Sequence, residues 1–174
     1  MKISNICLLL LVGMLAFSAC ETLPNQEVSY SPTFPVSGEY LVRVTNEADG
    51  VQPSPVVFTL RTFNTSYNTK DTVWIKLQST VKGVPYTVWG LYGKASCNTT
   101  AAMFNVTAGN NTVYPLTPSF TILEGKVLLG KAKVPSGTPC DSVYMKYQTA
   151  NDPGKTFIAK GHRRTGFYED EFVK

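Results

Sequence analysis

From Ser37 onward apolar residues recur at every second position, and a period of two admits strands and little else. Tyr40, Val42 and Val44 alternate with Glu39, Arg43 and Thr45. Val56, Phe58 and Leu60 form the next apolar face, and Val73, Ile75 and Leu77 the one after it. Tyr86 to Tyr92 is rich in aromatic and β-branched residues, and Ala102, Phe104 and Val106 continue the pattern. Leu128, Ala132 and Val134 alternate with lysines, then Val143, Met145 and Tyr147 alternate with Tyr144, Lys146 and Gln148. Thr156 to Ala159 and Gly166 to Phe172 close the series. Turn signals separate these runs: Ala48-Asp49-Gly50, Asn68 to Asp71, Lys82-Gly83, Gly109 to Asn111, Pro135 to Gly137 and Asn151 to Gly154. With no amphipathic helix and only short connections, the pattern predicts an all-β fold, an antiparallel up-and-down barrel of about eight strands. A barrel of that size is packed by its own side chains or holds one small ligand.

The first twenty residues follow a different logic. Lys2 supplies a positive start, Ile6 to Phe17 is almost wholly apolar, and Ser18-Ala19 places small residues before Cys20. That is the layout of a cleaved export signal, too short to span a bilayer comfortably. Phe17-Ser18-Ala19-Cys20 resembles a lipobox, in which the thiol of Cys20 is acylated and becomes the new N-terminus. The expected organisation is a signal peptide over 1–19, a lipidated Cys20 with a tether to residue 36, and the barrel over 37–174. The tether reading rests on three prolines and no periodicity in residues 21–36. Acyl chains on one cysteine anchor stably without a membrane-spanning helix, at about 0.8 kcal/mol per buried methylene. The expected location is extracytoplasmic, lipid-anchored to the cell envelope at the outer membrane.

Removal of residues 1–19 from the 174 leaves 155, enough for one domain with a real core. Lys2 is the only charge lost, so the net charge falls from +4 to +3, too mild to point to nucleic acid. Only Cys97 and Cys140 then remain as thiols in the body, a candidate disulfide in an oxidising compartment or two free buried thiols. One histidine, His162, excludes a His-rich metal site, and the two cysteines lack CxxC spacing. No GxSxG, HExxH, P-loop or dinucleotide fingerprint occurs, so no metal or cofactor is expected. His162 is the one candidate base, with Asp141, Asp152 or Asp170 available to orient it.

Trp74 and Trp89 fall in predicted strands, Trp74 on the polar-facing side with Lys76 and Gln78. Phe58, Leu60, Trp74, Trp89, Phe104 and Tyr147 are the candidates for lining a ligand cavity or packing the core, and periodicity alone does not separate those roles. Asp71-Thr72-Val73 and Asp141-Ser142-Val143 match a short O-glycosylation pattern of exported proteins and equally suit turns entering strands. The tail Gly161 to Glu171 reads as a final hairpin, Arg163 and Arg164 opposite Glu169, Asp170 and Glu171. Its alternative is a barrel closure in which an arginine stacks across Tyr40.

Two segments carry a family resemblance. Phe58 to Thr65, followed by Asn68, Asp71 and Trp74-Ile75, resembles the centre of the lipid-binding putative hydrolase family. Gly161-His162-Arg163-Arg164-Thr165-Gly166-Phe167-Tyr168-Glu169-Asp170-Glu171 is similar to that family's ending, and Ser37-Gly38-Glu39-Tyr40 to its first strand. The resemblance spans Ser37 to Lys174 and implies a small lipoprotein with a lipocalin-like barrel. Gly38, Tyr40 and Arg163 or Arg164 then take the places of the lipocalin Gly-x-Trp and its late arginine. No catalytic pattern of the family transfers onto this chain. The expected function is noncatalytic binding of a small hydrophobic or amphipathic ligand. A lipid or ester hydrolase using His162, or a surface component of an envelope complex, are the alternatives.

Overall fold

The computed structural model describes residues 27–52, 56–80, 89–112 and 118–171. The expected signal peptide and Cys20 lie outside the described residues, as do Tyr86 to Val88 of the Tyr86 to Tyr92 run. Eight strands close into an antiparallel barrel in chain order: β1 (Gly38–Asn46), β2 (Phe58–Asn64), β3 (Thr72–Ser79), β4 (Leu91–Asn98), β5 (Met103–Asn110), β6 (Ser119–Ala132), β7 (Cys140–Thr149) and β8 (Phe157–Arg163). β8 pairs with β1 from Tyr40↔Arg163 to Asn46↔Phe157, which removes both free edges. The predicted fold class is the observed one.

The alternation seen in the sequence is the inside–outside alternation of the wall. Tyr40, Val42, Val44, Phe58, Leu60, Val73, Ile75, Leu77, Leu91, Met145, Tyr147 and Ala159 are wholly inaccessible to solvent. They run from one end of the barrel to the other, so the axis is filled with side chains rather than hollow. Each Val, Leu, Ile, Phe or Met among them contributes about 1.5–3 kcal/mol of burial.

Two stretches depart from the expected pattern. β6 begins at Ser119, well before Leu128, because a bulge between Ile122 and Glu124 switches its inward set from Phe120 and Ile122 to Gly125 and Val127. Leu128, read as part of an apolar face, is 42% exposed. The Gly166 to Phe172 segment is not a strand as far as Glu171. β8 is already paired with β1 and β7, so a further strand has no edge to join. Gly166, at φ +86°, turns the chain back over the outer wall, where Tyr168–Asp170 form one 3-10 turn.

Strand direction gives the barrel two different ends. At one end a 3-10 turn, Phe34–Val36, seats fully buried Val36 in the core, with Thr62 Oγ1 donating to the Val36 carbonyl. β1, β3, β5 and β7 end, and β2, β4, β6 and β8 begin, at the opposite end, the mouth.

Candidate functional site

The candidate ligand residues separate into three groups. Phe58, Leu60, Phe104 and Tyr147 are core, none more than 2% exposed. Trp74 is half-buried on the outer wall, its ring 5.2 Å from Tyr92 and 5.2 Å from the Lys94 ammonium. Trp89 is half-buried at the mouth.

Around Trp89 the mouth forms a recess of about 320 Å³, lined by Asn46, Asp49, Val51, Trp89, Asp152, Lys155 and Phe157. Phe157 stacks on Tyr147 at 5.7 Å, and the Tyr147 hydroxyl donates to the Trp89 carbonyl at 2.9 Å. Burial pushes the Tyr147 phenol far above its ordinary value, so it remains a neutral donor and fixes the Trp89 backbone on the core. The polar side of the recess is built by two turns. Asp49 accepts the Val51 N–H at 2.8 Å, and Lys155 pairs with Asp152 at 3.2 Å. Two carboxylates face one ammonium there, which disfavours an anionic ligand head and suits a neutral one. Of these lining residues only Trp89 was a sequence candidate. The others carried a turn signal or a strand position, and only an up-and-down topology brings alternate turns to one end.

At the plugged end Tyr40 and Arg163 meet across the β1–β8 seam. The guanidinium lies 5.8 Å from the Tyr40 ring centroid, donates to the Ser37 carbonyl, and has Nε 3.3 Å from Asp141. Arg164 instead points outward and binds Glu39 at 3.0 Å and Glu171 at 2.6 Å. The two arginines therefore do different things, and neither belongs to a terminal hairpin.

His162 lies on the outer wall, 8% exposed, with Nε2 2.8 Å from the Asp170 carbonyl. A carbonyl accepts only, so Nε2 carries the proton. The Asp170 carboxylate accepts from Ser136 N–H (2.8 Å), Ser136 Oγ (2.6 Å) and Thr165 Oγ1 (2.6 Å). Ser142, directly across from His162, donates to the Gly161 carbonyl. Serine, histidine and aspartate do converge here, and the hydrogen bonds of His162 and Asp170 tie the C-terminal strap to the barrel. Asp152, at the mouth, is remote from His162 at the plugged end.

Cys97 and Cys140 are free thiols. They sit on β4 and β7, separated by two strands spaced about 4.8 Å apart, beyond the ~7 Å Cα reach of a disulfide. Burial raises both thiols above the ordinary cysteine value. Asp71-Thr72 and Asp141-Ser142 occupy the starts of β3 and β7. Among the described residues no cluster of three or more metal-ligating side chains occurs.

A comparison with curated proteins finds no match. A family model described as lipid-binding putative hydrolase matches residues 25–168, which take in all eight strands, the mouth turns and the plug. The chain belongs to the lipid-binding putative hydrolase family.

Proposed function

We propose that this chain is a cell-envelope lipoprotein, anchored through Cys20, that binds a single-chain amphiphile at the barrel mouth without turning it over. One observation carries the reading: half-buried Trp89, beside Phe157 and Val51, opens onto a recess of about 320 Å³ at the end opposite the plug. That volume is at the lower bound of small-molecule sites, about 300–1,000 Å³. The filled axis argues for a ligand seated at the rim, its chain against the aromatics and its neutral head among Asn46, Asp49, Asp152 and Lys155. Family membership supports a lipid-like ligand. The noncatalytic part rests on His162, whose Nε2 proton is committed to a backbone carbonyl. The address rests on Phe17-Ser18-Ala19-Cys20 and the apolar run before it.

Calorimetric titration with a neutral monoacylglycerol tests the site. Wild type should bind, and Trp89→Ala should weaken binding by about tenfold, the scale of one buried aromatic side chain. Fatty acid release by wild type that disappears in His162→Ala would overturn the noncatalytic reading.

A further inference from the structure

We infer that the outer wall carries a second amphiphile site, selective for an anionic head, in the slot where β4 and β5 part. The β4–β5 ladder runs only over Ser96↔Asn105, Cys97↔Phe104 and Asn98↔Met103. The strands meet again where Thr112 N–H donates to the Tyr92 carbonyl at 2.8 Å. Four steps on β4 are thus matched by seven on β5, and the surplus makes β5 arch away from its neighbour. On its other side β5 also slips against β6, at Phe104/Val106 and Val106/Gly109.

From inside, the gap is closed by the Phe120 ring. A Cβ on Gly93 would stand 2.7 Å from that ring, and one on Gly109 2.6 Å from it. At Gly109 the ring alone fills that space, and at Gly93 the Asn110 carbonyl oxygen, 2.6 Å from the same point, adds to it. From outside, the same gap is a recess of about 420 Å³, lined by Trp74, Lys94, Val106, Ala108, Gly109, Asn110 and Thr112. It is larger than the mouth recess.

The charge at this slot selects the occupant. The Lys94 ammonium rests 5.2 Å over Trp74 and 5.8 Å over Tyr67, and among the described residues no carboxylate pairs with it. An ammonium held on aromatic faces keeps its donors available to an anion. Trp74, Val106, Ala108 and Gly109 offer the apolar track beside it. The matching ligand is a free single-chain carboxylate, with its head on Lys94 and its chain along β5. The mouth, with two aspartates to one lysine, has the opposite preference, so the two sites are separable.

The chain has two tryptophans, Trp74 and Trp89, so Trp89→Phe leaves Trp74 as the sole reporter. An ω-brominated dodecanoate, titrated below its micellar concentration, should quench Trp74 saturably. Lys94→Gln should weaken that binding roughly fivefold, the upper scale of one exposed charge pair, while leaving the affinity for brominated dodecanol unchanged. The site is overturned if monomeric dodecanoate gives no saturable quenching. It is equally overturned if Lys94→Gln leaves dodecanoate affinity as it was, or if only vesicles of brominated phospholipid quench Trp74. Binding of a neutral amphiphile at Trp89 stands or falls independently of these outcomes.

Discussion

Arg163 stands directly across the β1–β8 seam from Tyr40, with its guanidinium 5.8 Å from the phenol ring centroid. The pair joins the first strand to the last, and Arg163 ties both to the plug through the Ser37 carbonyl and to β7 through Asp141. Burial pushes the Tyr40 hydroxyl above its ordinary value, although Arg163 works against that rise. The hydroxyl is buried without a well-directed hydrogen bond.

The two partners should therefore respond differently to truncation. Arg163→Ala removes a charged donor from the Ser37 carbonyl and leaves Asp141 only its bond from the Gly130 N–H, and should cost about 2 kcal/mol. Tyr40→Phe removes a hydroxyl that lacks a sound partner, and should cost less than about 1 kcal/mol. Urea unfolding of both variants checks the asymmetry, and equal losses would contradict the closure described here.

Gly161 is held by space rather than by backbone angle. A Cβ there would fall 1.7 Å from the Leu41 carbonyl oxygen, inside the seam itself. Gly161→Ala should cost about 3 kcal/mol or more. Gly50, at φ +68° with open space around it, should cost only about 1–2 kcal/mol on the same change. Thermal unfolding of the two variants measures the difference.

If the barrel axis is core rather than cavity, truncating it should hurt the fold and spare binding. Leu60→Ala should destabilise by about 3 kcal/mol and leave monoacylglycerol affinity at the mouth within about twofold. A large loss of affinity with little loss of stability would place the ligand inside the barrel.

Acid should loosen the C-terminal strap. Burial alone raises the carboxyls of Asp170 and Glu39, but hydrogen bonds overcome it: Ser136 and Thr165 at Asp170, Arg61 and Arg164 at Glu39. Both therefore lie below their ordinary values of 3.8 and 4.5. A carboxylate depressed in the folded state contributes stability that is complete above its unfolded pKa and is lost as pH falls through the folded one. The melting temperature should be flat above about pH 5 and fall as pH drops below about 4. Asp170→Asn should start lower and show a shallower acid limb, and an unchanged limb would remove Asp170 from the account.

Much of this fold was legible in the chain because the period of two survives wherever strands are regular. Val42 and Val44, Ile75 and Leu77, and Met145 and Tyr147 all face inward as their spacing requires. The pattern failed at β6, where one bulge exchanges the parity of Ile122 and Gly125, and at the tail, where closure leaves β8 no free edge. Trp74 faces the outer wall, as its side of β3 with Lys76 and Gln78 requires, whereas Trp89, read as a strand residue, lies in a turn ahead of β4 at the mouth. The mouth was legible only as turns, since Asp49 and Asp152 are 103 positions apart in the chain and meet through topology alone.

The central claim is that a neutral amphiphile sits against Trp89, at the rim of a filled barrel. Trp74→Phe leaves Trp89 as the sole tryptophan, and a bromine-labelled monoacylglycerol then reports contact with it directly. Saturable quenching of Trp89, abolished by unlabelled competitor, is the predicted result. Binding detected calorimetrically under the same conditions with Trp89 fluorescence unchanged would contradict it.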